Sequence, residues 1–310
     1  METNDDWPQP LTRVDGPFSS ERVDGAAAGM GDYGDATRAL SAAGRVQPDL
    51  ITGMTLFLLA RQPRKERADK PKKTSAIAGG VWVREQYTVH APIDRGDVFS
   101  ITGSSTGRYV KKGRRYGTTS SESRASTGAL VASNLTTGLL EYKVQNSLAD
   151  GVEGLPLDDT PAPAPAWEAA ANNPHLGLLS QARQGQTLGG KPVVVSLAMM
   201  AARDTANPDN PIHSDLEAAK EAGLERPIAG GSHVLSFAFE AVMAEFGIES
   251  LLHGAHVDAR WKAPTHADAQ IIPTVTVTES GQDRVALELA VDLVEGPTAM
   301  VGTITIPLAR

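Results

Sequence analysis

The stretch "HSDLEAAKEAGLERPIAGGSHVLSFAFEAV", residues 213–242, decides the fold. A polar turn ends at Gly230 and Gly231, and a run follows in which Val234, Leu235, Phe237, Ala238, Ala241 and Val242 leave almost no polar face before Glu240 and Glu245. A helix that is apolar nearly all round must be wrapped by other structure. Glycines at its start admit close backbone approach there. The pattern also occurs earlier, in "YGDATRALSAAGRVQPDLITGMTLFLLA", residues 33–60. Aligned on Ala43-Gly44 and Ala222-Gly223, both copies read A-G-x-x-x-P, then a glycine, then a long apolar helix; one residue is inserted between Pro48 and Gly53.

β-type sequence follows each helix. The first half has "GVWVREQYTVHAP", "GDVFSITGSSTG", "YGTTSSESRAS" and "GALVASNLTTGLLEYKV"; the second has "AHVDARWKAP", "AQIIPTVTVTES", "DRVALELAVDLV" and "TAMVGTITIPLA". β-branched and aromatic residues dominate, and "VTVT" and "TITI" alternate with the period of a half-buried strand. The short turn "SGQD" at Ser280 to Asp283 joins antiparallel neighbours, since parallel strands need long crossovers. A short strand, "PVVVSLA", precedes the second helix. A curved antiparallel sheet rolled around one helix satisfies this order. The expected class is therefore α+β, a double hot-dog fold, with the two sheets joined edge to edge so that strand edges are shielded. The expected division is an N-terminal hot dog over residues 1–150, a Pro/Ala-rich linker over 151–175 and a C-terminal hot dog over 176–310. The linker assignment rests on "LPLDDTPAPAPAWEAAANNP", whose prolines favour extended backbone.

Composition narrows the function. The chain has 310 residues, 41% hydrophobic and 21% charged, as in an ordinary globular protein. It has no cysteine, which excludes disulfides, Cys-ligated zinc, iron–sulfur clusters and thiolate nucleophiles. The opening residues are polar and acidic without an apolar signal core, and no apolar run reaches the roughly 18–20 residues of a membrane span. A cytoplasmic protein with no membrane partner is expected. The net charge of −8 argues against nucleic acid. Two basic islands, Arg61 to Lys73 and Arg108 to Gly117, are read as solvated surface, with attraction of a phosphorylated ligand such as coenzyme A as the sharper alternative.

The pattern N-P-I-H-x-D followed by A-G-x-x-x-P-I-x-x-G, from Asn210 to Gly231, resembles the MaoC-like family of (R)-specific enoyl-CoA hydratases and 3-hydroxyacyl dehydratases. The chain looks most like the two-hot-dog members, in which only the C-terminal copy keeps the catalytic segment. The first copy here has Gly34 where His213 falls. The resemblance implies one active site per chain, an acyl thioester of coenzyme A or a carrier protein as substrate, no cofactor, and room for a homodimer. In the family the catalytic aspartate lies two residues before the asparagine. That place is Pro208 here, and the adjacent acid is Asp209, one position late. Either a shifted loop restores Asp209, or another acid serves, with Asp204 nearest, or the chemistry is altered.

Adding water to a 2-enoyl thioester needs a base for the water, an acid for C2 and donors for the enolate-like oxygen. Histidine titrates near neutrality, and a carboxylate can share the water with it. Pro211 stiffens the turn that presents His213. Gly231 can aim a bare N–H at the oxygen, aided by the helix dipole. The expected catalytic set is therefore His213, Asp209 and Gly231, with Asn210, Ser232 and Ser236 as candidate substrate contacts. Asn210 is read first as fixing the turn with its side chain and second as a substrate contact. Asp215 and Ser214 suit helix caps, and His233 suits a satisfied core histidine. His253, His256 and His266 lack the spacing of a metal site. The alternatives are a hot-dog thioesterase, or a pathway-specific dehydratase, cyclase or acyl-binding protein.

Overall fold

A computed structural model describes residues 11–15, 18–54, 81–139, 150–154, 163–204, 211–221 and 224–308. The strands are β1 (Leu11–Asp15), β2 (Val81–Val89), β3 (Phe99–Lys111), β4 (Arg114–Ala125), β5 (Leu130–Leu139), β6 (Gly151–Gly154), β7 (Thr187–Gly189), β8 (Val193–Val195), β9 (His256–Trp261), β10 (Ala269–Ser280), β11 (Arg284–Leu293) and β12 (Thr298–Pro307). They form one sheet in the order β1-β3-β4-β5-β2-β9-β12-β11-β10-β7, with β6 on β3 and β8 on β10. The helices are α1 (Ser20–Ala28), α2 (Asp35–Ala42), α3 (Leu176–Leu179), α4 (Leu197–Asp204), α5 (Leu216–Glu221) and α6 (Gly231–Phe246). Alternation does what the sequence pattern requires: Ile271, Val275 and Val277 on β10, Val285, Leu287, Leu289 and Val291 on β11, and Ile304 and Ile306 on β12 are buried. That inner face wraps α6, of which nearly every residue is buried.

The halves meet along β2 and β9, paired antiparallel from Arg84↔Arg260 to Thr88↔His256. The two edges that separate sheets would expose are thereby consumed. Arg84 grips Asp258 across this seam with both nitrogens of its fork, at 2.9 and 2.6 Å. Buried residues of both halves, from Phe18, Leu40 and Phe99 to Phe237, Phe239 and Ile304, make one contiguous core. The two copies are joined through their interiors as well as through the sheet.

The apolar helix expected after Gly53 is helical at Gly53 and Met54; its remainder, with the basic island Arg61 to Lys73, lies outside the described residues. The second island forms the β3–β4 hairpin end, where Tyr109 and Tyr116 stack across the strands at 4.8 Å. In the stretch read as a linker, Gly151–Gly154 adds a strand to β3. Further on, the Ala164 carbonyl accepts from Thr88, and Ala166 N–H donates to Gly254. Both described ends of that stretch are thus hydrogen-bonded into the fold. No helix among the described residues is long and apolar enough to cross a membrane.

Two local packings position the site. α1 crosses α4 at Gly25 and Gly29, where an added Cβ would stand 2.7 Å from the Ala202 carbonyl oxygen and 2.7 Å from Arg203 Cβ. Only glycine permits that approach. Separately, Ile212, Ala219, Leu224 and Ile228 form a small apolar cluster of their own. It anchors the segment that carries the histidine.

Candidate active site

His213 ends a single 3-10 turn, Pro211–His213. The Pro211 carbonyl accepts from the N–H groups of Ser214 and Asp215 at 3.0 and 2.8 Å, which closes the turn that proline pre-shapes. Asp215 then caps α5 by accepting from Ala218 N–H at 2.7 Å, as its position before a helical run leads one to expect. The imidazole Nδ1 lies 2.7 Å from the Ile228 carbonyl oxygen. A carbonyl can only accept, so Nδ1 carries the proton. Nε2 and Cε1 lie 3.9 Å from the point where a Cβ on Gly230 would stand. The working edge of the imidazole therefore faces the start of α6.

At that start, the Gly230 carbonyl accepts from His233 and Val234 N–H at 2.9 and 3.1 Å. The N–H groups of Gly231 and Ser232 precede these and have no intrahelical acceptor. They sit at the positive end of a 16-residue helix, a place suited to developing negative charge. Trp261 closes one side. Its indole N–H donates to the Gly231 carbonyl at 3.0 Å, and its ring is 2.7 Å from where a Gly231 Cβ would be. The residue expected to offer its N–H must thus be glycine for a packing reason too.

The other expected residues fare differently. Asp209 and Asn210 lie outside the described residues. Ser232 is half-buried at the second position of α6. Ser236 does not face a substrate: it is 1% exposed, and its hydroxyl donates to the His233 carbonyl at 2.6 Å beside Met30 Sδ. That turn of the helix packs against Met30 and the end of α1, so the substrate role expected for Ser236 is corrected. His233 is a satisfied core histidine. Its Nε2 donates to the Gly29 carbonyl at 2.8 Å and its ring stacks on Phe237. Burial, reinforced by Arg203, pushes it down to about 3, so it stays neutral. His253 pairs with Glu249, and His256 with Thr88. No group of three metal-ligating side chains occurs among the described residues.

A buried charged cluster adjoins His213. Arg203 pairs with Asp49, their side chains 6% and 2% exposed. Arg22, pushed down to about 10 by burial and then by Arg203, also feels Asp49 and Asp204. Asp204, the last residue of α4, has its carboxyl raised by burial, against the opposing pull of His213, Arg203 and Arg22. Motif reading missed Arg22, Asp49 and Arg203. The one available signal was Asp49 itself, a charge standing where the second copy has Ile228.

Among the described residues the first copy shows no equivalent site. At the start of α2, next to Gly34, the carboxylate of Glu240 from α6 accepts from Ala36 N–H, Thr37 N–H and the Thr37 hydroxyl at 2.7, 2.9 and 2.6 Å. In the repeat the start of α2 corresponds to the α5 region of the second copy, and here it is held by an acid that reaches over from α6.

Comparison with known proteins places this geometry. A family model described as a MaoC-like domain matches residues 182–284. No curated protein sequence matches the chain. A solved structure titled MaoC-like dehydratase superposes with a TM-score of 0.70 at 17% identity, covering 99% of each chain. The peroxisomal multifunctional enzyme type 2 of Drosophila melanogaster gives 0.64 at 18% identity, over 96% of this chain and 48% of that one. A conserved hypothetical protein of Mycobacterium tuberculosis described as having a double hot-dog fold gives 0.59 at 15% identity, over 98% of each. The chain is a double hot-dog protein that carries a MaoC-like dehydratase domain in its second half.

Proposed function

We propose that the protein is a hydro-lyase that interconverts a 2-enoyl thioester and the (R)-3-hydroxyacyl thioester, carried on coenzyme A or a carrier protein. The observation that carries this is His213, its Nδ1 committed to a carbonyl and its Nε2 turned toward the free N–H groups that begin α6. Base and oxyanion donors then stand on one side of a planar thioester. In hydration, the water oxygen bonds to C3 while Nε2 takes the water proton. The C2–C3 π pair moves toward C1, and negative charge gathers on the thioester oxygen facing Gly231 N–H. The proton is then delivered to C2, which leaves the imidazole neutral. A carboxylate beside the imidazole orients the water. A general base of this kind contributes about 10²–10⁴-fold, and a preorganised donor about 3–4 kcal/mol of barrier.

The first half, with no histidine in its copy, serves in this account as a wall of the acyl pocket. Ser232 is the serine placed to meet the thioester. The test is incubation with 2-enoyl-CoA esters of increasing chain length, following enoyl absorbance and free thiol together. Loss of absorbance without thiol supports the proposal. Released thiol identifies a thioesterase, and neither signal across the series refutes turnover of simple enoyl thioesters.

A further inference from the structure

We infer that the carboxylate working with His213 is Asp204, at the end of α4, and that a buried ion pair built on the first half holds it ready. This rests on the hydro-lyase reading and deepens it. The family's aspartate position is Pro208, so the acid must come from elsewhere.

α4 runs against the 3-10 turn that ends in His213. Asp204 Oδ2 is buried and has no hydrogen-bond partner among the described residues. A carboxylate there is opposed twice, by burial and by the negative end of its own helix. Cationic surroundings oppose both. Burial remains the larger effect and leaves the carboxyl raised, while His213 when protonated, Arg203 and Arg22 each pull back toward the charged form of Asp204.

The arrangement also keeps Arg203 paired with Asp49 rather than with Asp204. Arg203 is the adjacent residue and is nearly buried, so without another partner its charge would be drawn toward Asp204. Asp49, in the first half's 3-10 turn Pro48–Thr52, engages Arg203 instead, through one guanidinium nitrogen. The other nitrogen, Nη1, is buried without a partner among the described residues. The glycine crossing of α1 on α4 sets the depth at which Arg22 and Arg203 lie. The charged groups that act on Asp204 are His213, Arg203 from α4 and Arg22 from α1, with Asp49 of the 48–52 turn paired to Arg203 and the neutral His233 of α6 beside Arg203 and His213. Asp49, Arg22 and Arg203 are positioning residues; Asp204 meets the water.

The test uses the full chain and its best enoyl-CoA ester. Asp204→Asn is expected to lower kcat at least 100-fold with KM within threefold and an unchanged melting temperature. Asp49→Asn, which frees Arg203 to close on Asp204, is expected to lower kcat about tenfold with KM unchanged. It also moves the acidic limb of the kcat/KM profile to lower pH, because a paired Asp204 ionises more readily. Should Asp204→Asn fail to fold, Asp204→Glu keeps the charge but displaces it by a methylene, and a kcat loss with KM unchanged is read from it. Should Asp49→Asn fail to fold, Asp49→Glu, which keeps the anionic partner of Arg203, is expected to retain kcat within threefold, and a larger loss overturns the positioning role of the pair. An active wild type whose Asp204 variants stay within fivefold overturns the assignment alone, as does Asp209→Asn losing 100-fold while Asp204→Asn does not. A wild type inert on every enoyl thioester overturns the hydro-lyase reading and this assignment with it.

Discussion

Gly231→Ala adds one carbon where Trp261 already stands. The new Cβ would be 2.7, 2.9 and 3.0 Å from ring atoms Cε2, Nε1 and Cζ2. Ordinary carbon contacts lie near 3.5–4.0 Å, so a gap of about 1 Å must open between ring and helix. The indole cannot yield freely: it lies on β9, paired with Met300 of β12, and its N–H is bonded to the Gly231 carbonyl. Overpacking of this kind costs about 1–3 kcal/mol, and the strained hydrogen bond up to about 1 kcal/mol more. Alanine's better helix propensity returns about 0.5–1 kcal/mol. A net loss of about 1–3 kcal/mol is expected from urea unfolding at equilibrium. Displacing the N–H that faces the thioester oxygen should cost more in rate than in stability. Loss of most of one donor's about 3–4 kcal/mol lowers kcat roughly 100-fold. Gly231→Ala/Trp261→Leu makes room for the methyl group, so part of the rate should return. Wild-type stability and kcat in Gly231→Ala would refute the packing of Trp261 on the helix start.

Glu240→Gln leaves a single acceptor where two oxygens now take three hydrogen bonds, and turns an amide NH₂ toward donors. A loss of about 1–3 kcal/mol is expected in urea unfolding, and an unchanged midpoint would refute the joint it forms between the halves. His233 is held at about 3 in the folded chain, below its unfolded value, so the unfolded state binds the extra proton in between. Its stabilisation is complete above about pH 6.5 and is lost as pH falls toward 3, at up to about 1.4 kcal/mol per pH unit. His233→Gln should flatten that slope by difference from wild type; parallel slopes would refute it.

The repeat on Ala43-Gly44 and Ala222-Gly223 made the double architecture legible, because each copy needs a sheet to wrap its apolar helix. Strand alternation in "VTVT" and "TITI" marked the inward faces, which the buried Val275, Val277, Ile304 and Ile306 confirm. The placement of His213 beside the start of α6 was legible through spacing, since a turn, a short helix and a buried helix start fix that separation along a short chain segment. Ser236 was not. A helix buried on every side has no polar face to report orientation, so nothing in the sequence separated Ser236 from Ser232. Nor was the Arg203–Asp49 pair, whose members are 154 positions apart and share no motif. Such contacts exist only once two sheets have closed on each other.

The most direct test of the central claim compares the wild type with His213→Ala across 2-enoyl thioesters of increasing chain length, reading enoyl absorbance, free thiol and product configuration. His213 sits in an anchored surface turn outside the main core, so the variant should melt as the wild type does. The account predicts that the wild type consumes enoyl absorbance without releasing thiol and yields the (R)-3-hydroxyacyl product. It predicts a fall of about 10²–10⁴-fold in His213→Ala. A folded His213→Ala protein that hydrates these esters at the wild-type rate would contradict it.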